Sequence, residues 1–529
     1  GTTLQPIAGA NIIVEGTQFG TLTRSDGTFA LTGIPVGSYS VTAGVIGYNS
    51  QPLPVTVAAG ASATLQFSLQ PAAIALEELV VTGYGTQRRE SITGSIATID
   101  ADEANVGVVS NANDLIQGRV AGVHMTLNNG EPGAGAQIRI RGGTSISASN
   151  EPLYVIDGVA IENVATEATG IGIGGEASLP RSPLNLLNPS DIESITILKD
   201  ASAAAIYGAR AANGVVLIET KKGVAPGVLS VEYDGYVGTS SPARTLDVLT
   251  GEQYRQFIQD QVEKGTLPAD RLANLGQANT DWEEEVTRAA TTHNHNFSFS
   301  GGTEATRYRA SLNYMNQEGV TLSSGFERIQ GRLSGSHQTW DDRLRLGLNL
   351  TGSHTENDYV PYEVGGGFEG GVLVNMAIFN PTRPVMVEDP GTGEPAFFEI
   401  GPGSQSVRNP VALARQVDDF ANTTRTLGNA SAELDLLRNL TARVNLGVDR
   451  SESTRRTYFP RSNPVGASVD GLARQVQRDN TALTLQSLLT FQQDFSDRHR
   501  LQIVGGYEYN DYELGEFGAE AHGFLTDAF

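Results

Sequence analysis

From about Ala225 to the end of the chain, apolar and polar residues alternate one by one in long runs. Leu344, Leu346, Leu348 and Leu350 share one side of their segment, and Arg343, Arg345, Asn349 and Thr351 share the other. Tyr308, Ala310, Leu312 and Tyr314 oppose Arg309, Ser311 and Asn313 in the same way. Leu440, Ala442, Val444, Leu446 and Val448 oppose Thr441, Arg443, Asn445 and Asp449. Period two predicts β-strands. Similar segments lie near Leu229–Val237, Asn294–Ser300, Gly325–His337, Ala430–Leu437, Ala482–Phe495 and Leu501–Tyr512, about nine strands in all.

Two architectures share this period. A soluble sandwich turns its apolar face inward, whereas a membrane barrel turns it to lipid and keeps polar residues in a wet interior. Periodicity does not separate them. Most runs reach roughly ten residues, against five to six in ordinary sheets, which favours the barrel. Tyr314, Trp340, Tyr359, Tyr458 and Phe459, near strand ends, suit interfacial aromatic girdles. Two interruptions break the pattern. Thr250 to Gln253 reads as a capping box opening a helix to about Gln261. Val360 to about Asn422, rich in Gly and Pro, reads as a long surface loop.

The N-terminal half is textured differently. Residues 1–71 hold short β-prone runs between turn signals: Asn11–Gly16, Gly20–Arg24, Thr28–Leu31, Gly37–Gly44, Pro54–Val57 and Ala63–Leu69. Such spacing predicts a small β-sandwich. Residues 87–223 read as a compact α+β domain. It has a short helix at Asn113–Val120 capped by Asn111 or Asn113, and a helical turn capped by Ser190 or Asp191. Its strands are expected at Gly122–Thr126, Gln137–Arg141, Leu153–Ile156, Ser194–Leu198 and Gly214–Thr220. Another helical turn is expected at Ala201–Tyr207.

Composition narrows the function. The formal charge of −23 argues against a nucleic-acid partner. Cysteine is absent, which excludes thiol catalysis and a disulfide scaffold. No apolar run of about twenty residues exists, so no transmembrane helix is expected; a β-barrel leaves no such run. Gly1 begins inside a strand-like pattern, and the last residues, Gly523–Ala528, do not alternate, so both ends are expected to be cut from a longer chain.

Between the first two domains, in a linker at 72–86, lies a β-prone stretch, Glu78-Leu79-Val80-Val81-Thr82-Gly83. It reads either as a strand buried in a sheet or as an open strand that a partner joins. His293 and His295 fall on one strand face without an evident third ligand, so no metal site is expected. Gly170–Gly175 lacks the strand and capped helix of a dinucleotide loop. No nucleophile-elbow, zincin or Walker motif occurs, so no catalytic residue, cofactor or enzyme activity is expected.

Several motifs carry a family resemblance. Residues 1–71 resemble the carboxypeptidase regulatory-like fold. ELVVTGYGTQRRESITGSIATI (Glu78–Ile99), LIQGRVAGVHM (Leu115–Met125), IRIRGGTSI (Ile138–Ile146), PLYVIDGV (Pro152–Val159) and the long Asn188–Gly223 segment resemble the TonB box and plug of the SusC/RagA family of TonB-dependent outer-membrane transporters. Leu246–Phe257 is similar to that family's first barrel insertion. The resemblance implies a mainly β fold: a small β-sandwich at 1–71, a TonB-box linker at 72–86, an α+β plug at 87–223, and antiparallel transmembrane β-barrel strands at 224–529 that form an incomplete barrel. Family barrels have about 22 strands. The resemblance further implies import of a bulky nutrient, an oligosaccharide or a peptide, across the outer membrane of a Gram-negative bacterium, with the N-terminal domains facing the periplasm. The partners it implies are TonB, energised by the inner-membrane ExbB/ExbD complex and held at Glu78–Gly83, a SusD-like surface lipoprotein, and outer-membrane lipid. Val360–Asn422 is a candidate contact for the lipoprotein. Arg139, Arg141, Gly142, Gly143, Asp157 and Gly158 become plug-motif residues with a structural or coupling role; the arginines are expected to pair with acids on the barrel wall, and Asp157-Gly158 to form a tight turn. A metal-chelate or vitamin receptor of the broader TonB-dependent group, and a β-rich surface adhesin, are the alternatives.

Overall fold

The computed structural model describes residues 6–7, 9–14, 17, 19–24, 26–45, 51–69, 79–82, 85–88, 95–127, 130–143, 150–161, 166–168, 183–200, 204–224, 227, 229–361, 371–400, 407–496 and 499–527. Two compact units emerge, Gly1–Val80 with Gln87–Ser91, and Val81–Thr86 with Ile92–Phe529.

In the first unit β1 (Asn11–Val14), β2 (Gly20–Leu22), β3 (Gly37–Gly44) and β4 (Gln51–Val57) form an antiparallel sheet in the order β2-β1-β3-β4. Two prolines place β4 naturally at the edge, where a missing N–H is harmless. Ile12, Val14, Val41 and Ala43 face inward and are covered by Phe29, Leu31, Leu65, Phe67 and Leu69. The runs Thr28–Leu31 and Ala63–Leu69 thus supply core side chains without joining the described ladder. Alternation reports where side chains go; it does not guarantee that the backbone finds a neighbouring strand. After this sheet, β5 (Leu79–Thr82) and β6 (Gly85–Arg88) make a separate two-stranded sheet.

The second unit opens with a mixed five-stranded sheet built from β7 (Ile96–Asp100), β10 (Leu153–Ile156), β11 (Val159–Ile161), β12 (Ile192–Leu198) and β13 (Val215–Thr220), ordered β11-β10-β13-β12-β7. Only β10 and β13 run parallel. Both are continuous apolar runs, as expected of strands buried on two faces. A hairpin of β8 (Val123–Leu127) and β9 (Ala136–Ile140) lies beside it. The core gathers Leu115, Ile116, Ile138, Tyr154, Ile161, Leu184 and Ile195. The expected helix at Asn113–Val120 is a series of turns instead, with Asn111 accepting the N–H groups of Asn113 and Asp114. Asn188, rather than Ser190 or Asp191, caps the turn Pro189–Asp191.

Nine strands follow in one antiparallel sheet: β14 (Ser230–Ser240), β15 (Ala290–Gly302), β16 (Thr306–Glu318), β17 (Gly325–Thr339), β18 (Leu344–Asp358), then β21 (Asp418–Leu437), β22 (Leu440–Phe459), β23 (Leu472–Ser496) and β24 (His499–His522), each paired to its neighbour in sequence. Every strand expected from alternation is present, and several are far longer, with β21 and β22 at 20 residues and β23 at 25. The extension of β22 from Arg450 to Thr457 is polar on both faces, so it keeps the ladder but shows no hydropathy period. Short turns join β15 to β16, β17 to β18, β21 to β22 and β23 to β24 at one end of the sheet; the longer connections lie at the other.

Burial decides between the two architectures. Asn294, Asn296, Ser298, Arg309, Asn313, Arg328, Gln330, Arg332, Arg425 and Asn445 are buried, whereas Phe297, Phe299, Leu312, Ile329, Leu333, Leu348, Leu350 and Leu446 are exposed. A water-soluble sandwich does the reverse. This is the inverted pattern of a membrane barrel wall packed around a polar interior.

Of the connection expected as a loop, Val360 to Asn422, the described residues are largely folded. It holds α4 (Val372–Ile378), a hairpin of β19 (Met386–Glu388) and β20 (Pro395–Phe397), and α5 (Pro410–Gln416). The connection after β14 contributes α2 (Gly251–Glu263), opened by the expected Thr250 capping box, and α3 (Trp282–Val286); α1 (Ala101–Ala104) belongs to the mixed-sheet domain. Trp282, Val286, Val360, Val372, Phe379, Val411, Val417 and Phe459 share one apolar cluster. Backbone bonds from Ala278 to Thr382 (3.0 Å) and Thr280 to Pro381 (2.9 Å) lock the two connections into one cap. Its core uses no regular period, so composition alone disguised it as loop. Tyr359 and Phe459 are buried toward this cap and the interior, so they leave the expected girdle; Tyr458 is buried against Phe524 and donates to Asp527, and Trp340 is exposed.

Candidate functional site

The strand alternation that exposes Ile329 and Leu333 turns Arg328, Gln330 and Arg332 of β17 inward. A guanidinium removed from water needs acceptors, and the mixed-sheet domain, the plug of this barrel wall, provides them. Arg328 Nη1 donates to the carbonyls of Asn185 and Leu187, each at 2.9 Å, around the turn Pro183–Leu186. Arg332 Nη1 donates to the Lys221 carbonyl at 2.8 Å, and its other nitrogen reaches Thr220 and lies 3.6 Å from Asp157. Asp191 accepts from Ser311 (2.8 Å) and Gln330 (3.3 Å), with Arg309 3.9 Å away. Asn188 donates to Asn296 at 2.9 Å. On β21, Arg425 is chelated by Asp449 and donates to the Pro183 carbonyl at 2.7 Å.

Asp157 and Gly158 have φ of 48° and 84°, the pair of positive values that a type I′ hairpin turn between β10 and β11 requires. Asp157 does more than turn the chain. Its carboxylate accepts from the Thr220 N–H (3.0 Å) and hydroxyl (2.6 Å) and faces Arg332, and its carbonyl accepts from Asn429 at 3.2 Å. The turn is therefore both a bend and a plug-to-wall contact.

The other plug-motif residues behave differently from expectation. Arg141, with φ 58°, ends β9, and its guanidinium pairs with Asp200 inside the plug, not with the barrel wall. Gly142 follows with φ 95°, and Gly143 sits against Asn150. Arg139 is exposed, on β9 opposite His124, so it is not the buried wall partner its motif suggested. Most of the described wall pairing runs the other way, with barrel arginines meeting plug acids and carbonyls, while one plug arginine, Arg210, donates to Glu508 of β24 at 2.8 Å. Arginines on the polar side of an alternating strand, Arg328 and Arg332 above all, were the available signal.

His293 and His295 project from the outer face of β15 among aromatics. Tyr233 Oη lies 2.7 Å from His295 Nδ1, and the His293 and Tyr314 rings are 5.6 Å apart. Of the β-prone linker stretch, Leu79, Val80, Val81 and Thr82 form β5, paired with β6, so one of its edges is already occupied. Glu78 and Gly83 themselves lie outside the described residues, as does Gly170–Gly175.

Comparison with known proteins agrees with this layout. A family described as TonB-dependent Receptor Plug Domain matches residues 88–215, and a CarboxypepD_reg-like domain matches residues 1–81. The TonB-dependent receptor SusC of Bacteroides thetaiotaomicron is 37% identical over 475 residues, covering 86% of this chain and 44% of that protein. The TonB-dependent receptor P3 of Formosa agariphila is 32% identical over 524 residues, covering 98% of this chain and 48% of its own length. The chain thus spans about half the length of the curated relatives it matches. Among solved structures, the RagAB peptide importer in its open-open state aligns with a TM-score of 0.67 at 26% identity, over 85% of this chain and 51% of that one.

Proposed function

The chain belongs to the SusC/RagA family of TonB-dependent receptors, and from that premise we propose that its full-length protein imports a bulky nutrient, an oligosaccharide or a peptide, across a bacterial outer membrane. The single observation that carries the reading is the inverted wall. Apolar Phe297, Ile329, Leu348 and Leu446 face out, and polar residues face in onto a folded plug. A wide barrel needs such a plug against leakage, and a membrane without its own energy supply needs the plug moved from elsewhere.

The short-turn end faces the periplasm in this reading and the cap faces outward, as in barrels generally. TonB, energised by ExbB/ExbD, adds a strand at Glu78–Gly83, either on the remaining edge of β5 or by displacing β6. Several backbone hydrogen bonds formed at once make a joint that carries load along the strand. The cap, built from two interlocked connections, is the contact for a SusD-like lipoprotein lid. Deleting Glu78–Gly83 from the full-length protein is expected to abolish uptake and leave substrate binding intact. Undiminished uptake by the deletion would overturn the proposal.

A further inference from the structure

The four-stranded sheet of the first unit offers little backbone edge that another strand could join. One end is β2, only three residues long. The other end is β4, whose ladder to β3 pairs Pro52 with Thr42 and Pro54 with Ser40. A proline has no N–H. In a continuous ladder Pro52 and Pro54 are therefore the residues whose backbone turns away from β3, and the outer edge of β4 lacks those donors. Both ends are poor templates for an added strand.

The separate sheet of β5 and β6 differs. β5, LVVT, holds neither proline nor glycine, and Val80, Val81 and Thr82 are β-branched. It has β6, GTQR, on one side only. Along a strand, successive residues turn their N–H and C=O groups to alternate sides. Half of the β5 residues therefore serve β6, and the other half leave about four hydrogen-bonding groups on the opposite edge. A two-stranded sheet is marginal by itself, and a third strand stabilises it.

We propose that the docking site for the strand-adding partner is this two-stranded sheet as a unit: the partner's strand joins the open edge of β5, and β6 stays in place behind it. The proposal rests on the import reading for the partner's identity. The part of β6 is to hold β5 extended before the partner arrives. Ordering the backbone of one residue costs roughly a factor of five to thirty in an equilibrium constant. A strand already extended against β6 has met part of that cost, so it associates more tightly than the same residues as free chain. Displacing β6 would give up one set of backbone hydrogen bonds to form another of the same kind, with no net gain.

The test is the affinity of the full-length protein, in detergent, for the purified periplasmic domain of TonB. Thr86→Pro combined with Gln87→Pro removes two successive N–H groups from β6 and leaves the sequence of β5 unchanged. Because successive groups alternate sides, one of them is a donor to β5 whatever the register. The Kd is expected to rise about tenfold, since a marginal sheet relieves only part of the ordering cost. An unchanged Kd would overturn the proposal. So would tighter binding, which would mean that the partner takes the edge β6 occupies. A second variant approaches from the other side. The chain has no cysteine, so Thr82→Cys with Gly85→Cys allows one disulfide, which reverses the chain between them and keeps β6 beside β5. The oxidised form is expected to bind at least as tightly as the reduced form; binding lost on oxidation and restored on reduction would show that β6 must leave, and the docking unit would fall. Deleting Glu78–Gly83 separates this proposal from the reading beneath it. Equal binding by parent and deletion would refute the partner assignment and this site with it. Binding lost in the deletion but untouched by the two prolines would refute only the role of β6.

Discussion

The Arg332–Asp157 contact is the sharpest place to test how the wall holds the plug. Arg332 is buried, and its guanidinium is shared among Asp157, Thr220, the Lys221 carbonyl and Asn349. Truncating it to Met leaves the Asp157 carboxylate without its cation, though the Thr220 N–H and hydroxyl at 3.0 and 2.6 Å remain. Breaking a buried pair costs about 3–5 kcal/mol when nothing else compensates. With two donors retained the lower end applies, about 3 kcal/mol, or roughly a hundredfold in a local opening equilibrium. Asp157→Asn is the companion change, because Asn tolerates the positive φ that this turn imposes. It leaves Arg332 with its carbonyl and hydroxyl acceptors and is expected to cost about 1–2 kcal/mol. In the double variant neither partner strands the other, so its cost is expected to fall short of the sum by about 1–2 kcal/mol. Hydrogen exchange of peptides covering β10, β11 and β13 in the full-length protein measures all three. Additivity within about 0.5 kcal/mol would refute the reasoning, because it would mean that Asp157 and Arg332 act independently.

Leu348, exposed on the outer face of β18, is expected to reject charge as a lipid-facing residue does: Leu348→Arg costs about 2–4 kcal/mol in a bilayer unfolding titration if it lies near mid-membrane, and a variant as stable as the parent would remove it from the lipid face. Glu399 in the cap tests pH dependence. Burial pushes its carboxyl up to about 7 from the ordinary 4.5, against the opposing Asn409 N–H and the Arg408 charge. A raised value means the folded cap holds the proton more tightly than the unfolded chain, so stability is full below about pH 4.5 and is lost as pH rises through about 7. Exchange protection of the cap is therefore expected to fall across that window and to lose the dependence in Glu399→Gln; an unchanged profile in the variant would assign the effect elsewhere.

Reading the chain without coordinates recovers the wall strands because each crosses an apolar environment on one face only. The pattern stops where that environment stops, which is why Asp418–Thr424 at the head of β21 gave no signal although it is paired throughout. The cap escaped for a different reason. Trp282 and Phe379, whose rings meet at 4.7 Å, come from connections far apart in sequence, and neither connection shows a period. The plug motifs were legible as a family resemblance, but their roles were not. Arg141 and Asp157 look alike as charged residues beside glycine, yet one pairs within the plug and the other meets the wall. Only the identity of the neighbour separates them, and the neighbour is set by tertiary packing.

The barrel arginines show how wall and plug specify each other. Arg328 is among the largest fully buried side chains. A guanidinium that far from water is tolerable only where several acceptors converge; the wall's own carbonyls are spent on the ladder, and its side chains supply only part of the set, as Asp449 does for Arg425. A compact domain rich in helical turns can supply the rest, because the last carbonyls of a turn have no partner of their own. Arg328 meets such carbonyls at Asn185 and Leu187, and Arg425 meets another at Pro183. The same polar face that makes this sheet unsuited to a soluble core therefore makes it suited to one object, a plug that presents turns. Such contacts to carbonyls carry no charge on the plug side. They act beside charged contacts such as Arg332 with Asp157 and Arg309 with Asp191, and under the proposed import reading both kinds must part before the plug can move.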